Sequence, residues 1–219
     1  MERGTVMRVR TVLLSVAAVL LTIPMALVAP SAAFAGRPWV DPSTLNPAPH
    51  DTGKPLCARE GNRFVCHTTI DINDDYGTFD SGISCSGTEL QWSMQHTLRA
   101  GSQAIYNADG NVVELVYIDS YTGSLANPDT GKSAAWTQQD RTTYVFTTPG
   151  DNTSGTFTMR ELQKVNGPAG TAILIDAGQE TFNLADNTRL TADGVHPIDD
   201  YFYGGGSATA LAPLCDALA

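Results

Sequence analysis

The chain has 219 residues, 42% of them hydrophobic, and carries 13 Lys and Arg against 23 Asp and Glu, a net charge of −10. That length and apolar share suffice for one domain with a real core. The acidic excess excludes nucleic acid and anionic membrane surfaces as partners, because both would be repelled.

Residues 1–35 read as an export signal. Arg3, Arg8 and Arg10 precede an apolar stretch from Val12 to Ala29, and Ala33-Phe34-Ala35 supplies the small-residue cleavage spacing. Met7 opens an equally good signal, so the initiator is Met1 or Met7. An uncleaved anchor is the rival reading, and Pro24, Pro30 and the cleavage site argue against it. The expected protein is therefore secreted, with no membrane attachment after cleavage. In an oxidising compartment the four cysteines read as two disulfides. Of the three pairings, the reading favours Cys57–Cys66 as a local clip and Cys85–Cys215 as a long-range staple. Zinc is disfavoured, since no C-x₂₋₄-C pair exists and His67 stands alone beside Cys66.

Residues 36–56 hold Pro38, Pro42, Pro47, Pro49 and Pro55 and read as a flexible, extended arm without ladder pairing, with Trp39 exposed. Residues 57–219 form the single disulfide-stapled β domain. Leu90, Trp92, Met94, His96 and Leu98 alternate with polar residues, the clearest period-two signal in the chain. Strands over 102–106 and 112–121 flank the hairpin turn Asn107-Ala108-Asp109-Gly110. Strands over 141–147 and 155–165 flank a turn at Pro149-Gly150-Asp151-Asn152, and short strands follow at 171–175 and 179–184. Tyr201, Phe202 and Tyr203 fit a last strand or a ligand mouth; after the three glycines, Leu211, Leu214, Cys215 and Leu218 fall at helical spacing, limited by Pro213. Turn after turn without room for crossovers predicts an all-β fold, an up-and-down antiparallel barrel of about eight strands with a short C-terminal helix or coil; a β-sandwich is the alternative.

Candidate chemistry is sparse. Ala126-Asn127-Pro128-Asp129-Thr130-Gly131-Lys132-Ser133 matches a loose phosphate-loop pattern, but Asn-Pro-Asp-Thr-Gly is itself a turn and β pattern follows it. Asp71, Asn73 and Asp75 offer oxygens at alternate positions as a calcium loop does, yet Tyr76 and Gly82 stand where glycine and the bidentate glutamate belong. Asp199-Asp200 after His196-Pro197 reads as a solvated loop more simply than as a cation site, and Glu114 and Glu161 are expected to point outward. No nucleophile motif or cofactor signature is present. Asn152-Thr153-Ser154 is a glycosylation acceptor that matters only in a eukaryotic host. His96 shares the apolar side of its strand with Trp92 and Met94, and the three would line any cavity.

Four segments carry a resemblance: Cys85-Ser86-Gly87, the Leu125–Ser133 turn, Ile173-Leu174-Ile175-Asp176-Ala177-Gly178 and the tail Leu214-Cys215-Asp216-Ala217-Leu218. In these the chain resembles exported actinobacterial β-rich proteins of unknown function, a likeness of pattern over roughly residues 63–219. It supports the Cys85–Cys215 pairing and the turn as structural features, and brings no activity with it. The expected function is a non-catalytic β-barrel binding a small apolar ligand or an extracellular surface at Trp92, Met94 and His96. The alternatives are an isomerase- or cyclase-type enzyme pairing His96 with a carboxylate, and a calcium-stabilised adhesion module.

Overall fold

The computed structural model describes residues 36–49, 54–203 and 208–219; the export signal lies outside the described residues. Eight strands follow in chain order: β1 (Leu56–Glu60), β2 (Arg63–Cys85), β3 (Thr88–Tyr106), β4 (Val112–Ala126), β5 (Ser133–Val145), β6 (Thr156–Asn166), β7 (Ala172–Asn183) and β8 (Arg189–Val195). Two short helices close the chain, α1 (Pro197–Tyr203) and α2 (Ala212–Leu218). Every strand pairs antiparallel with its sequence neighbour, so the sheet order is that of the chain. The expected meander is present.

The barrel is not. Among the described residues no ladder returns from β8 to β1 or β2, and the sheet stays open. β8 pairs with β7 over only half of that strand and ends at Val195, and after His196 Pro197 starts a helix instead. Helix α1 lies across the gap. Its amides at Ile198 and Asp199 donate to the Asp176 carboxylate on β7 at 3.0 and 3.1 Å, and the Tyr201 hydroxyl donates to the Gly82 carbonyl on β2 at 3.1 Å. Gly82 sits at φ +74° beside a register shift in β2, and a Cβ there would meet Phe202 at 3.5 Å. The bend of β2 and the seat of α1 thus need the same glycine.

Two apolar clusters occupy opposite ends of the curled sheet. One joins Ile83, Leu90, Leu125, Trp136, Val165 and Leu174 from β2 to β7 with Leu211, Leu214 and Leu218 from the tail. The other gathers Cys57, Cys66, Tyr106, Val112 and Phe146 around Leu45. Leu45 corrects the expectation of an unpaired arm. Asn46 N–H donates to the Gly110 carbonyl and Val112 N–H to that of Asn46, Val40 N–H donates to the Cys57 carbonyl and Arg59 N–H to that of Pro38, and the Tyr106 hydroxyl donates to the Pro47 carbonyl. Proline removes only its own donor, so its neighbours still pair. Trp39 is exposed, as expected, although its backbone bridges to Ala58.

The two disulfides join Cys57 to Cys66 and Cys85 to Cys215. The first links cross-strand partners of β1 and β2; the second fastens α2 to the end of β2. The phosphate-loop look-alike has a structural task there. It is a turn, Asn127 N–H to the Lys132 carbonyl and Gly131 N–H to that of Asn127, and its Asn127 amide and Thr130 hydroxyl both donate to the Leu218 carbonyl. These donors satisfy an end-of-helix acceptor that would otherwise lack an intrahelical partner. The segments expected at 171–175 and 179–184 are one strand, β7, and the aromatic triple at 201–203 ends a helix rather than a strand.

The Cys85–Cys215 bridge spans 130 residues and Cys57–Cys66 only 9. On loop-closure entropy, we expect Cys85→Ser/Cys215→Ser to lower stability by about 5 kcal/mol and Cys57→Ser/Cys66→Ser by about 3 kcal/mol or less. Urea denaturation of the two double variants ranks them; the reverse order would contradict the role given to the tail.

Candidate functional site

Between the two apolar clusters the interior is polar. Asp119 on β4, Asp140 on β5 and Glu161 on β6 are successive cross-strand partners, so three carboxylates stand in one row across the sheet. The row continues to Gly178 and then Gly194, where side chains are absent. The His196 ring fills the space over Gly178: a Cβ there would lie 2.6 Å from His196 Nε2 and would collide with the Asp193 carbonyl. Asp140 and Glu161 are 8% and 7% exposed, so these are buried charges without a cation directly opposite them. Like charges facing across a ladder are destabilising, and burial sharpens the penalty.

At the α1 end the row widens into a cluster. Glu161, Glu180, His196 and Asp199 each bring a ligand-type atom within 4.8 Å of the others, and all four are buried. His196 Nδ1 lies 2.9 Å from Asp176 Oδ1, 3.6 Å from Glu161 Oε1 and 3.9 Å from Glu180 Oε1, while Nε2 is 3.1 Å from the Asp193 carbonyl. Arg189 reaches Glu180 at 2.6 Å and Asp200 at 2.7 Å. Burial pushes the Asp199 carboxyl up to about 8, and the neighbouring Glu161 carboxyl adds to the rise. Burial likewise lifts Glu180 to about 7 and raises Glu161. Burial pulls His196 down, but the Asp193 carbonyl and the Glu180 and Asp176 charges outweigh it, and the imidazole is held above its ordinary value.

These carboxylates share a pattern: one oxygen held, the other free. Gln163 donates to Glu161 Oε2 at 2.8 Å and Gln138 to Asp140 Oδ2 at 2.9 Å, and Arg189 holds Glu180 Oε1. Glu161 Oε1, Asp140 Oδ1, Glu180 Oε2 and Asp199 Oδ2 are buried without a hydrogen-bond partner. Gln163 in turn accepts from Trp136 Nε1 at 3.3 Å, tying the row to the apolar end.

An open trough of about 480 Å³ runs over the row. Tyr76, Trp92, Tyr121, Trp136, Tyr144 and Phe157 wall it, with Met94 and Met159, and Asp119, Gln138, Asp140 and Thr142 supply its polar groups. A second recess of about 380 Å³ shares Trp92, Gln138 and Met159 with it and ends at Asp199, Phe202 and Tyr203. Trp92 meets Trp136 edge to face with centroids 4.8 Å apart, an arrangement that fixes both rings.

Trp92 and Met94 therefore line the trough as the alternation implied. His96 lies behind it, 7% exposed, stacked on Tyr121 at 4.3 Å, with Nε2 3.0 Å from Asp119 Oδ1 and Nδ1 unpartnered. It orients Asp119 rather than facing the trough. Glu161 points inward, against expectation, because the face it shares with Asp140 and Gln163 is the concave one; Leu162 and Ile175 are exposed instead. Glu114 sits in a separate recess with Arg141 and Arg160. Asp199 is buried on α1, not solvated in a loop. The calcium candidates lie in strand β2, where Asn73 and Asp75 pair with Thr97 and Gln95, and Asp75 accepts from Gly77 N–H at 2.8 Å. An extended strand does not wrap one ion as a calcium loop does. The Asp71 side chain is outside the described residues.

Sequence reasoning missed Asp140, Asp176, Glu180 and Arg189. Their neighbourhood arises from register over long separations, which no local pattern encodes. One local signal pointed to α1: Pro197 at the first helical position with Asp199 and Asp200 in the first turn.

Gly178→Ala should drive His196 out of its seat and lower stability by about 2–3 kcal/mol in urea denaturation. An unchanged midpoint would contradict this packing. Burial, with the Asp119 charge second, raises the Asp140 carboxyl to about 6 from 3.8. The folded state then binds the proton more tightly than the unfolded one, so stability falls as pH rises from about 4 through 6 and stays reduced above. Asp140→Asn removes that penalty: its melting temperature should match the parent's near pH 4 and exceed it at pH 8. A gap that is constant across this range would contradict the assignment.

No family model, curated protein or solved structure matches the chain.

Proposed function

We propose that this is an exported, non-catalytic binding protein whose trough takes a small molecule with a flat apolar body and a protonated amine. One observation carries the reading: six aromatic rings wall a trough of about 480 Å³ whose polar groups include two facing carboxylates, Asp119 and Asp140. Ligand sites combine this size, an apolar lining and a few placed polar groups. An amine would give Asp140 the counter-charge the protein does not place opposite it, and Trp92 offers a ring face for cation–π attraction. The net charge of −10 favours a cationic ligand and slows an anionic one. The two disulfides fit an oxidising compartment outside the cell. A curled sheet whose seam is spanned by α1 serves as an incomplete up-and-down barrel, open enough to admit the ligand from one side.

A second reading is favoured by the His96–Asp119 hydrogen bond at 3.0 Å. In an isomerase or cyclase, Asp140 would carry the proton and His96 would orient Asp119 beside it.

Trp92 and Trp136 report directly, since both line the trough and the chain has only one other tryptophan, Trp39. Titration with phenethylamine should give a saturable change in Trp emission, at least tenfold tighter than with phenylacetate, and Asp140→Asn should abolish the preference. Equal response to both, or preference for the acid, would refute the reading. Chemical conversion of the bound amine would favour the second.

A further inference from the structure

We propose that Glu161, Glu180, His196 and Asp199 form a binding site for one divalent transition-metal ion, Zn²⁺ or Mn²⁺, set into the end of the sheet where α1 crosses the seam. The four groups come from β6, β7 and α1 with the residue before it, and their ligand-type atoms lie within 4.8 Å of one another. Around one tetrahedral ion with bonds of about 2.0–2.2 Å, ligand atoms are about 3.3–3.6 Å apart, so pairs at the wide end of the cluster close by about an ångström, within reach of side-chain rotation, to complete the shell.

Acidic residues gathered together are common without an ion, and three further facts separate this cluster from such a gathering. Glu180 is wholly buried, yet its Oε2 has no partner, and the same holds for Glu161 Oε1 and Asp199 Oδ2 in buried side chains. A buried carboxylate oxygen without a donor costs stability unless something positive meets it. Next, His196 presents Nδ1 to the carboxylates while Nε2 is fixed on the Asp193 carbonyl. Metal-ligating histidines are oriented in this way, with the second ring nitrogen donating to a carbonyl or carboxylate. Finally, the second shell is already built: Gln163 holds Glu161, Arg189 holds Glu180, and Asp176 accepts from the first amides of α1.

Charge points the same way. Among the described residues, four buried carboxylates, Glu161, Asp176, Glu180 and Asp199, stand against Arg189 and His196. On binding, Nδ1 releases its proton to solvent and exchanges its bond to Asp176 for one to the ion. The imidazole selects against Ca²⁺ and Mg²⁺, which prefer oxygen ligands throughout, and three carboxylates select against the softest ions. The recess ending at Asp199 provides an entry path from solvent.

The purified protein, stripped with chelator and desalted, is titrated with Zn²⁺, Mn²⁺ and Ca²⁺ while melting temperature and bound metal are measured. We expect one Zn²⁺ or Mn²⁺ per chain and a rise of about 5 °C or more at a hundredfold excess over Kd. Glu161→Gln, which keeps the side-chain shape, should weaken binding at least tenfold. Independently of any variant, the His196 Nδ1 resonance of the parent should shift on Zn²⁺ addition while Nε2 keeps its hydrogen bond. Absence of stoichiometric metal, binding unchanged in Glu161→Gln, an unmoved Nδ1, or tighter binding of Ca²⁺ would each overturn the site.

Discussion

Three carboxylates facing one another across adjacent strands, inside the curve of a sheet, set the terms for the rest of this structure. Asp119, Asp140 and Glu161 occupy positions where an ordinary antiparallel protein would place Val or Leu. They cannot all be charged at once without counter-ions: His96 meets Asp119 at 3.0 Å and His196 meets Glu161 at 3.6 Å, while Arg189 pairs with Glu180 beyond the row. Stability must therefore come from elsewhere. It comes from the two ends, where the tail leucines, Trp136 and Phe182 at 2% exposure or less, and the docked Leu45, are packed. Each such side chain contributes roughly 1.5–3 kcal/mol on burial. Apolar ends support a polar middle that the fold alone does not require.

Helix α1 is where support and site meet. The Asp176 carboxylate accepts from its first amides and faces His196, so one side chain both seats the helix and orders the ligand-like cluster. Tyr201 fixes the other flank to Gly82. Closing the sheet by strand pairing would have covered the space that Asp199, Phe202 and Tyr203 now line. Leaving it open gives the trough its second recess and its route to the buried acids.

Much of the scaffold was legible from residue pattern. The alternation around Trp92 marks β3, the Asn107–Gly110 turn marks the β3–β4 hairpin, and the cysteine spacing suggests the two observed bridges. The site was not, for a physical reason. Pattern reading assumes that apolar residues face inward, whereas Ile118, Leu162 and Ile175 are 44%, 40% and 46% exposed and their polar neighbours are buried. In β6 and β7 the alternation is intact, and Val165, Leu174 and Phe182 keep the ordinary sense, but around Leu162 and Ile175 the apolar residue faces out while Glu161, Gln163 and Asp176 face in. His196 and Asp199 were visible as a His-Pro-x-Asp string, yet only the register of Glu161 with Gly178 brings them to Glu161 and Glu180.

If the polar middle is the working part of the protein, its carboxylates must be inside and short of counter-charge. Carboxyl-carbon NMR of Asp140 across a pH series measures this directly. Its apparent pKa should be about 6, raised first by burial and then by Asp119. A value at the ordinary carboxylate level of about 4 would place Asp140 in water and contradict the account.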